Sequence, residues 1–397
     1  MGKMTSNNQL NLYGAVTKVP RGFRDFNLKQ NVRQLYDRAF FRIKKNHKID
    51  YRNYVTPGSY NLGDHAIASA ALQQIEASTR KIVVNLINWG EIECAQKQSP
   101  ILFSGSGYYS IESSRALGKR INRDIDFIRK EHISCSYFGI GVNYVGKSTE
   151  LTLEDISPSG QKTLTDSLAL ATTISVRDLT SRNILQPLTA TPIVITGDPA
   201  LFIKSNHRPQ HKVAHTSASL KIGINIPFHG PAANARVSND LKAYIEFFRS
   251  FQKSTGCEYI QTVHFQNEIL IGEIIQDHGI RLTQAIGDVQ TLLTAYEGMN
   301  FHIGGMLHSC ILAASVGTPC IGLAYDIKHQ GFFDLIGQPT LCIPAKPFDA
   351  DRLRALCDYV LRNTSTISSQ INSKRNELEI ISNEFLSRTL RTLFQST

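Results

Sequence analysis

Residues 301–329, FHIGGMLHSCILAASVGTPCIGLAYDIKH, contain a strand, a glycine turn, a helix, a glycine stop and a second strand in one short run. Phe301 to Ile303 is a β-type triplet, and Gly304-Gly305 gives a turn that needs no Cβ. Met306 to Val316 is expected to form an apolar helix, with Gly317 as a left-handed stop and Thr318-Pro319 barring its continuation. Cys320 to Tyr325 repeats the pattern of a buried strand. A βαβ unit of this kind lines up strand ends and helix N-termini along one crevice, where α/β folds bind ligands. His308 falls in the first turn of the helix and Lys328 just past the second strand, so both are expected to face that crevice. The first can exchange protons near neutrality and the second can hold an anion.

The alternation extends through the chain. Strand patterns at 81–87, 101–104, 134–140, 173–176 and 193–196 enclose helical patterns at 65–78, 112–130, 160–171 and 178–186. Residues 206–219 are polar, histidine-rich and aperiodic, which marks a linker. A second block follows, with strands at 220–226 and 258–263, helices at 238–254 and 266–277, and short strands near Ile280 and Phe301. Helices at 350–362 and 367–396 close it. The pattern predicts an α/β protein with two Rossmann-like domains facing a central cleft, 53–205 and 220–362, in a glycosyltransferase-B-like arrangement. A leader (1–52) precedes them and a terminal helix (363–397) follows.

With 42% hydrophobic and 19% charged residues in 397, the composition supports a sizeable core and argues against disorder. No apolar run approaches the roughly 18 residues of a membrane span, and the first residues lack the apolar stretch of a secretory signal. Seven scattered cysteines without a CxxC pair indicate neither a disulfide framework nor a zinc site, so a reduced, cytoplasmic setting is expected. The net charge of +10 sits almost wholly in residues 1–52, where twelve Lys and Arg face three acids. Leu28, Val32, Leu35, Tyr36, Ala39, Phe40 and Ile43 recur there at helical spacing between basic residues. Such a helix either packs on the first domain with a solvated basic face or lies on an anionic membrane surface. Nucleic acid is not expected as a partner, because no recognised module accompanies the charge.

Further candidates lie at predicted strand ends. Residues 56–72, TPGSYNLGDHAIASAAL, feed a small-residue helix, with Gly58 and Gly63 permitting turns and Asp64 placed as an N-cap. Helix N-termini attract phosphate and carboxylate groups, and a plain capped helix is the alternative. Arg177, at the end of its strand, either reaches the cleft as a fork for an anion or forms a structural ion pair, and Asp178 is a cap. Thr196-Gly197-Asp198-Pro199 is expected to be a structural turn. His264 follows a strand, and His229 lies in the turn from Pro227 to Pro231; each is either a cleft residue or a solvated histidine. Asp124-Ile125-Asp126 has the spacing of a metal-binding pair but sits among basic residues in a helical pattern, so an exposed charged helix is expected and no metal.

Taken in order, Asn61-Leu62-Gly63-Asp64, Ser175-Val176-Arg177-Asp178, Thr196-Gly197-Asp198-Pro199, and Leu307-His308 with Gly317-Thr318-Pro319 and Tyr325-Asp326-Ile327-Lys328 resemble the motifs of the polysaccharide pyruvyl transferase family. The resemblance spans about residues 54–335, and Met306 stands where the family has an arginine. It implies an enzyme that moves the enolpyruvyl-derived group of phosphoenolpyruvate onto two hydroxyls of a sugar in a cell-surface polysaccharide or its lipid-linked precursor. The products would be a pyruvate ketal and phosphate, with no cofactor. In that chemistry His308 is the acid/base and Lys328 and Arg177 clamp the donor anion, helped by backbone N–H groups around Gly305 and Leu307. Asn61, Gly63, Asp64, His264 and His229 are then acceptor or cleft residues. Methionine at 306 cannot bind a carboxylate, so Arg177 or Arg281 would supply the charge. Otherwise the donor differs, and the chain is a nucleotide-sugar-dependent glycosyltransferase of the same architecture or, third, a non-catalytic carbohydrate-binding relative.

Overall fold

The structure is a computed structural model that describes residues 9–13, 61–78, 83–87, 91–97, 99–144, 150–205, 219–227, 232, 236–265 and 268–395. The predicted basic helix over 28–43, the linker residues 206–218, Gly58 and His229 lie outside them.

The first domain is built on a parallel sheet of β1 (Gln9–Tyr13), β2 (Val83–Ile87), β3 (Ile101–Ser104), β5 (Cys135–Ile140), β7 (Ala171–Val176) and β8 (Ile193–Ile195), in the order β2-β1-β3-β5-β7-β8. Two short strands, β4 (Tyr109–Ile111) and β6 (Val142–Tyr144), pair with each other beside it. Every residue of β3 and β5 is buried. A parallel sheet covered on both faces requires this, and it explains why these strands read as continuous apolar runs.

The first strand corrects one expectation. Gln9–Tyr13 lies inside the segment assigned to a separable leader, yet it pairs with β2 along its whole length and with β3 through Asn11, Leu12 and Tyr13. Five residues flanked by polar ones carry little periodicity of their own. Their place is set by backbone partners far along the chain.

The second sheet contains β9 (Lys221–Asn225), β10 (Glu258–Thr262), β11 (Leu282–Ala285), β12 (Phe301–Gly304), β13 (Cys320–Ala324) and β14 (Cys342–Pro344), all parallel in the order β11-β10-β9-β12-β13-β14. The chain runs outward from β9 and returns on its other side at β12, so the C-terminal ends of β9 and β12 flank the topological switch point. Asn225 and Gly304 sit there.

Five helices place the site: α1 (Leu62–Ser78), α2 (Leu179–Leu185), α3 (Leu307–Ser315), α4 (Ile327–Leu335) and α5 (Ala350–Gln395). The small-residue face of α1, with Ala66 and Ala70 fully buried, joins one core cluster with Ala200 to Ile203 and with Leu307 and Ile311 of α3. Small side chains let the two domains approach closely here. The two closing helices expected from sequence form one element, α5, bent at Asn363 (φ −120°). Its last turns cover the first domain: Phe385, Leu386, Leu390 and Leu393 pack with Ala71, Ile75, Leu102 and Phe138.

Candidate active site

The turn from Gly304 into α3 is held from three directions. Asn225 at the end of β9 accepts the Gly305 N–H through its backbone carbonyl (2.8 Å) and the Met306 N–H through Oδ1 (3.0 Å). His329 of α4 places Nε2 2.9 Å from the Gly305 carbonyl. A Cβ on Gly305 would sit 2.1 Å from Pro227 Cδ, so only glycine fits between the two strand ends. These bonds correct the expectation that the Gly305 N–H is a free donor: it and the Met306 N–H are already committed. Asn225 is fixed in turn by Glu268, whose Oε2 accepts from Asn225 Nδ2 (3.2 Å) and the backbone N–H of His264 (2.7 Å). Burial pushes the Glu268 carboxyl up to about 7, against the downward pull of those donors.

His308 lies in the first turn of α3 and is 8% exposed. Its ring packs against Gly63 of α1: a Cβ there would be 2.2 Å from Nδ1. Its Nε2 lies 3.8 Å from Oδ2 of Asp198. Asp64, one residue past Gly63, accepts a hydrogen bond from Ser106 Oγ (3.4 Å). Burial raises its carboxyl above the usual range, His308 opposing the shift and Asp198 adding to it. The N-cap of α1 is Asn61 rather than Asp64, since Asn61 Oδ1 accepts the Gly63 N–H (2.9 Å). Asp64 is therefore left to face its charged neighbours.

Lys328 belongs to the first turn of α4, a helix not expected from sequence, and Asp326 caps that helix. Its Nζ lies 3.5 Å from Asp326 Oδ2 and 5.3 Å from the Tyr325 ring centroid. Burial draws the ammonium below its ordinary range; Asp326 and Asp64 resist this, and Arg177 adds to it. The Tyr325 hydroxyl donates a weak hydrogen bond to the Met306 sulfur (3.6 Å), so the Met306 position holds an uncharged acceptor.

Arg177 directly follows β7 and is 4% exposed. Nε donates to Asp178 Oδ2 (3.0 Å), and Nη2 donates to Asn143 Oδ1 (2.8 Å) and the Val142 carbonyl (3.2 Å). The guanidinium lies flat over Gly141, where a Cβ would be 2.2 Å from Nε. Asp178 caps α2, accepting the Ser181 N–H through Oδ1 (2.7 Å). Of the two readings of Arg177, these bonds form the structural ion pair, and its charge also acts on Lys328.

The structure thus brings together His308, Lys328, Arg177, Gly63 and Asp64, while Gly305 packs against Pro227 and Leu307 joins the core. It adds Asp198, which sequence reading left as a turn residue, and Asp326, to which it gave no role of its own. His264 is a correction: it is buried in the second domain with Nε2 3.0 Å from the Tyr296 hydroxyl, so its side chain does not line the cleft. Its carbonyl instead accepts the Leu62 N–H at the start of α1 (3.2 Å). Arg281 is another. It donates to the carbonyls of Gly256 and Cys257 at the N-terminal edge of the second sheet, the edge opposite the switch point, and supplies no charge to the site. Asp124 is buried and accepts from the Tyr108 hydroxyl (3.2 Å), so that helix is not exposed throughout. No group of residues suited to hold a metal occurs among the described residues.

Comparison with solved structures supports the architecture. The chain resembles a protein from Listeria monocytogenes assigned as a UDP-N-acetylglucosamine 2-epimerase (TM-score 0.52, 10% identity, 99% of this chain and 98% of that one). It also resembles UDP-GlcNAc 2-epimerase from Neisseria meningitidis (TM-score 0.48, 10% identity, 97% and 99%). A mutant O-GlcNAc transferase from Thermobaculum terrenum is similar over 98% of this chain and 69% of its own (TM-score 0.40, 8% identity). At such identities the likeness concerns the fold, two Rossmann-like domains of the glycosyltransferase-B type. Among curated proteins no similar sequence is found. The family model for polysaccharide pyruvyl transferase matches residues 61–327, from the cap of α1 to the first residue of α4. The chain belongs to the polysaccharide pyruvyl transferase family.

Proposed function

We propose that the enzyme transfers the pyruvyl group of phosphoenolpyruvate to two hydroxyls of a sugar in a cell-surface polysaccharide or its lipid-linked precursor, closing a pyruvate ketal and releasing phosphate. The supporting observation is that His308, Asp64, Lys328 and Arg177 meet at one cleft although four separate elements carry them. Ketal formation needs a proton for the donor's methylene carbon, an acceptor for the protons of two hydroxyls, and cationic groups for the phosphate and carboxylate. The cleft holds each kind of group.

In this reading the imidazolium of His308 gives its proton to the methylene carbon. The oxygen of the first hydroxyl bonds to the central carbon, and its proton passes to the Asp64 carboxylate. A carboxyl raised by burial is the better base for this task. The second hydroxyl then attacks the same carbon, the bond from that carbon to the phosphate oxygen breaks, and neutral His308 takes the second proton. Asp64 passes its proton to the departing phosphate, so both groups return to their starting forms. Lys328 and Arg177 hold the anionic groups in a site where burial strengthens the attraction. The basic residues between 14 and 52 would keep the enzyme at an anionic membrane surface, where a lipid-linked acceptor resides, at about 1 kcal/mol for each residue near the surface. No described helix is long and apolar enough to cross a membrane.

The test is incubation with phosphoenolpyruvate and a panel of glycan acceptors, following phosphate release and the mass gain of one pyruvate ketal. His308→Ala should lower turnover by about 10²–10⁴-fold without loss of fold. Release of a nucleoside diphosphate from a nucleotide-sugar, with none of phosphate from phosphoenolpyruvate, would replace this function by glycosyl transfer.

A further inference from the structure

We infer that Asp198 is a positioning residue for the reaction, its carboxylate orienting the His308 ring and serving as counter-charge to the imidazolium. The catalytic consequence rests on the pyruvyl-transfer reading; the pairing does not.

Asp198 stands between β8 and the single turn Pro199–Phe202 and is 2% exposed. One carboxylate oxygen, Oδ1, accepts the Ala200 N–H (3.0 Å), and the backbone carbonyl accepts the Leu201 N–H (2.9 Å). The first bond fixes the direction of the side chain, and the second holds the turn that carries it. The other oxygen, Oδ2, is buried and has no hydrogen-bond partner. His308 Nε2 is also buried without a partner, and the two atoms face each other at 3.8 Å. Left alone, each would bear the desolvation cost of an unmade hydrogen bond. A bridging water needs a span of roughly 4.5–5.5 Å for its two bonds, so the gap admits none. A closure of less than 1 Å makes a direct charge-assisted bond.

On the other side of the ring Nδ1 faces Gly63, whose missing Cβ gives the ring its room, and Nδ1 is the nitrogen left to exchange protons with the donor. Other charges nearby are Asp64 from α1, Lys328 from α4 and Arg177 from the end of β7. Asp64 interacts with His308, Asp198 and Lys328, whereas Arg177 is committed to Asp178 and Asn143. Asp198 is the carboxylate whose free oxygen is aimed at the ring nitrogen. A cap alone uses one oxygen, and the orientation of the second is what the inference explains.

Asp198→Asn separates the two roles, because asparagine caps a helical turn as well as aspartate does and removes only the charge. With phosphoenolpyruvate and a sugar acceptor, kcat should fall about 10-fold to 10²-fold, with the donor KM changed less than about threefold. The alkaline limb of the pH–rate profile should move toward lower pH, because the variant removes the carboxylate that faces the ring. A purely structural role predicts wild-type kcat and an unmoved limb, and that result would overturn the inference. Asp198→Ser also caps and takes the place of the asparagine variant if that protein does not fold. If the wild type releases no phosphate from phosphoenolpyruvate, the proposed function fails, and the pairing is read without turnover. In protein carrying ¹⁵N-labelled histidine, the Nε2 resonance of His308, assigned with His308→Gln, should shift in Asp198→Asn, because the group facing that nitrogen changes from carboxylate to amide. An unchanged Nε2 resonance sinks the pairing whatever the reaction is.

Discussion

Gly63→Ala adds one methyl group at the point where α1 meets His308. The new Cβ would lie 2.2 Å from Nδ1, 2.3 Å from Cγ and 2.5 Å from Cβ of His308, whereas ordinary contact begins at 3.4 Å. Since the histidine Cβ is itself among the clashing atoms, rotating the ring does not relieve the overlap. One helix must move by about 1 Å. Overpacking of this kind costs about 1–3 kcal/mol. Alanine recovers about 1 kcal/mol over glycine inside a helix, so the net destabilisation is about 0–2 kcal/mol. The chemistry should suffer far more, because displacing a proton-transfer group by about 1 Å costs about 10²-fold in rate. Thermal unfolding and phosphate release from phosphoenolpyruvate, measured on the same preparation, check both halves. A variant with wild-type kcat would refute the claim that His308 works from the position it holds against α1.

Lys328→Ala and Arg177→Ala should each raise the donor KM and lower kcat, and the double variant should lose less than the product of the two, since the proposed function has both charges act on one anion; an effect confined to the acceptor KM would move them to the sugar site. Glu268 has a pKa of about 7 in the fold against 4.5 for the free side chain. The folded state thus binds its proton more tightly, so this stabilisation is complete below pH 4.5 and is lost as pH rises through about 7, by about 3 kcal/mol. Urea unfolding between pH 5 and 8 should show that decline in the wild type and a flatter curve in Glu268→Gln; parallel curves would contradict it. Deleting residues 1–13 removes β1 from between β2 and β3 and should abolish soluble folded protein; a stable, active deletion variant would remove β1 from the sheet.

What could be read in the sequence follows the physics of each element. β3 and β5 were legible because strands covered on both faces are buried at every position and so carry nearly continuous apolar runs, interrupted here only by small residues such as Ser104 and Ser136. His308 was legible because a histidine in the first turn after a strand has one place to go in a parallel sheet. Asp198 was not, since Thr-Gly-Asp-Pro describes a turn completely and the second oxygen finds its partner 110 residues later along the chain. The helix α4 was hidden by Gly331, which weakens a helical pattern yet serves the packing: a Cβ there would lie 3.1 Å from Asp178. Arg281 was a plausible replacement for the family arginine only while the sheet's polarity was unused. Once the strands are parallel, a residue before β11 lies at the wrong edge.

The path of α5 bears on where this protein can be cut. The family match stops at Ile327, and a boundary drawn there would look natural for expressing a catalytic fragment. Such a fragment would lack Lys328, β14 and all of α5. It would also strip Phe385, Leu386, Leu390 and Leu393 from the face formed by Ala71, Ile75, Leu102 and Phe138, on the domain far from the cut in sequence. Ser368, whose hydroxyl donates to the Gly317 carbonyl (2.6 Å), would no longer hold the far end of α3. A fragment ending at the match would thus expose apolar surface in one half and loosen the helix of His308 in the other, and it should aggregate. Biochemical work is best done with a chain that continues through residue 395.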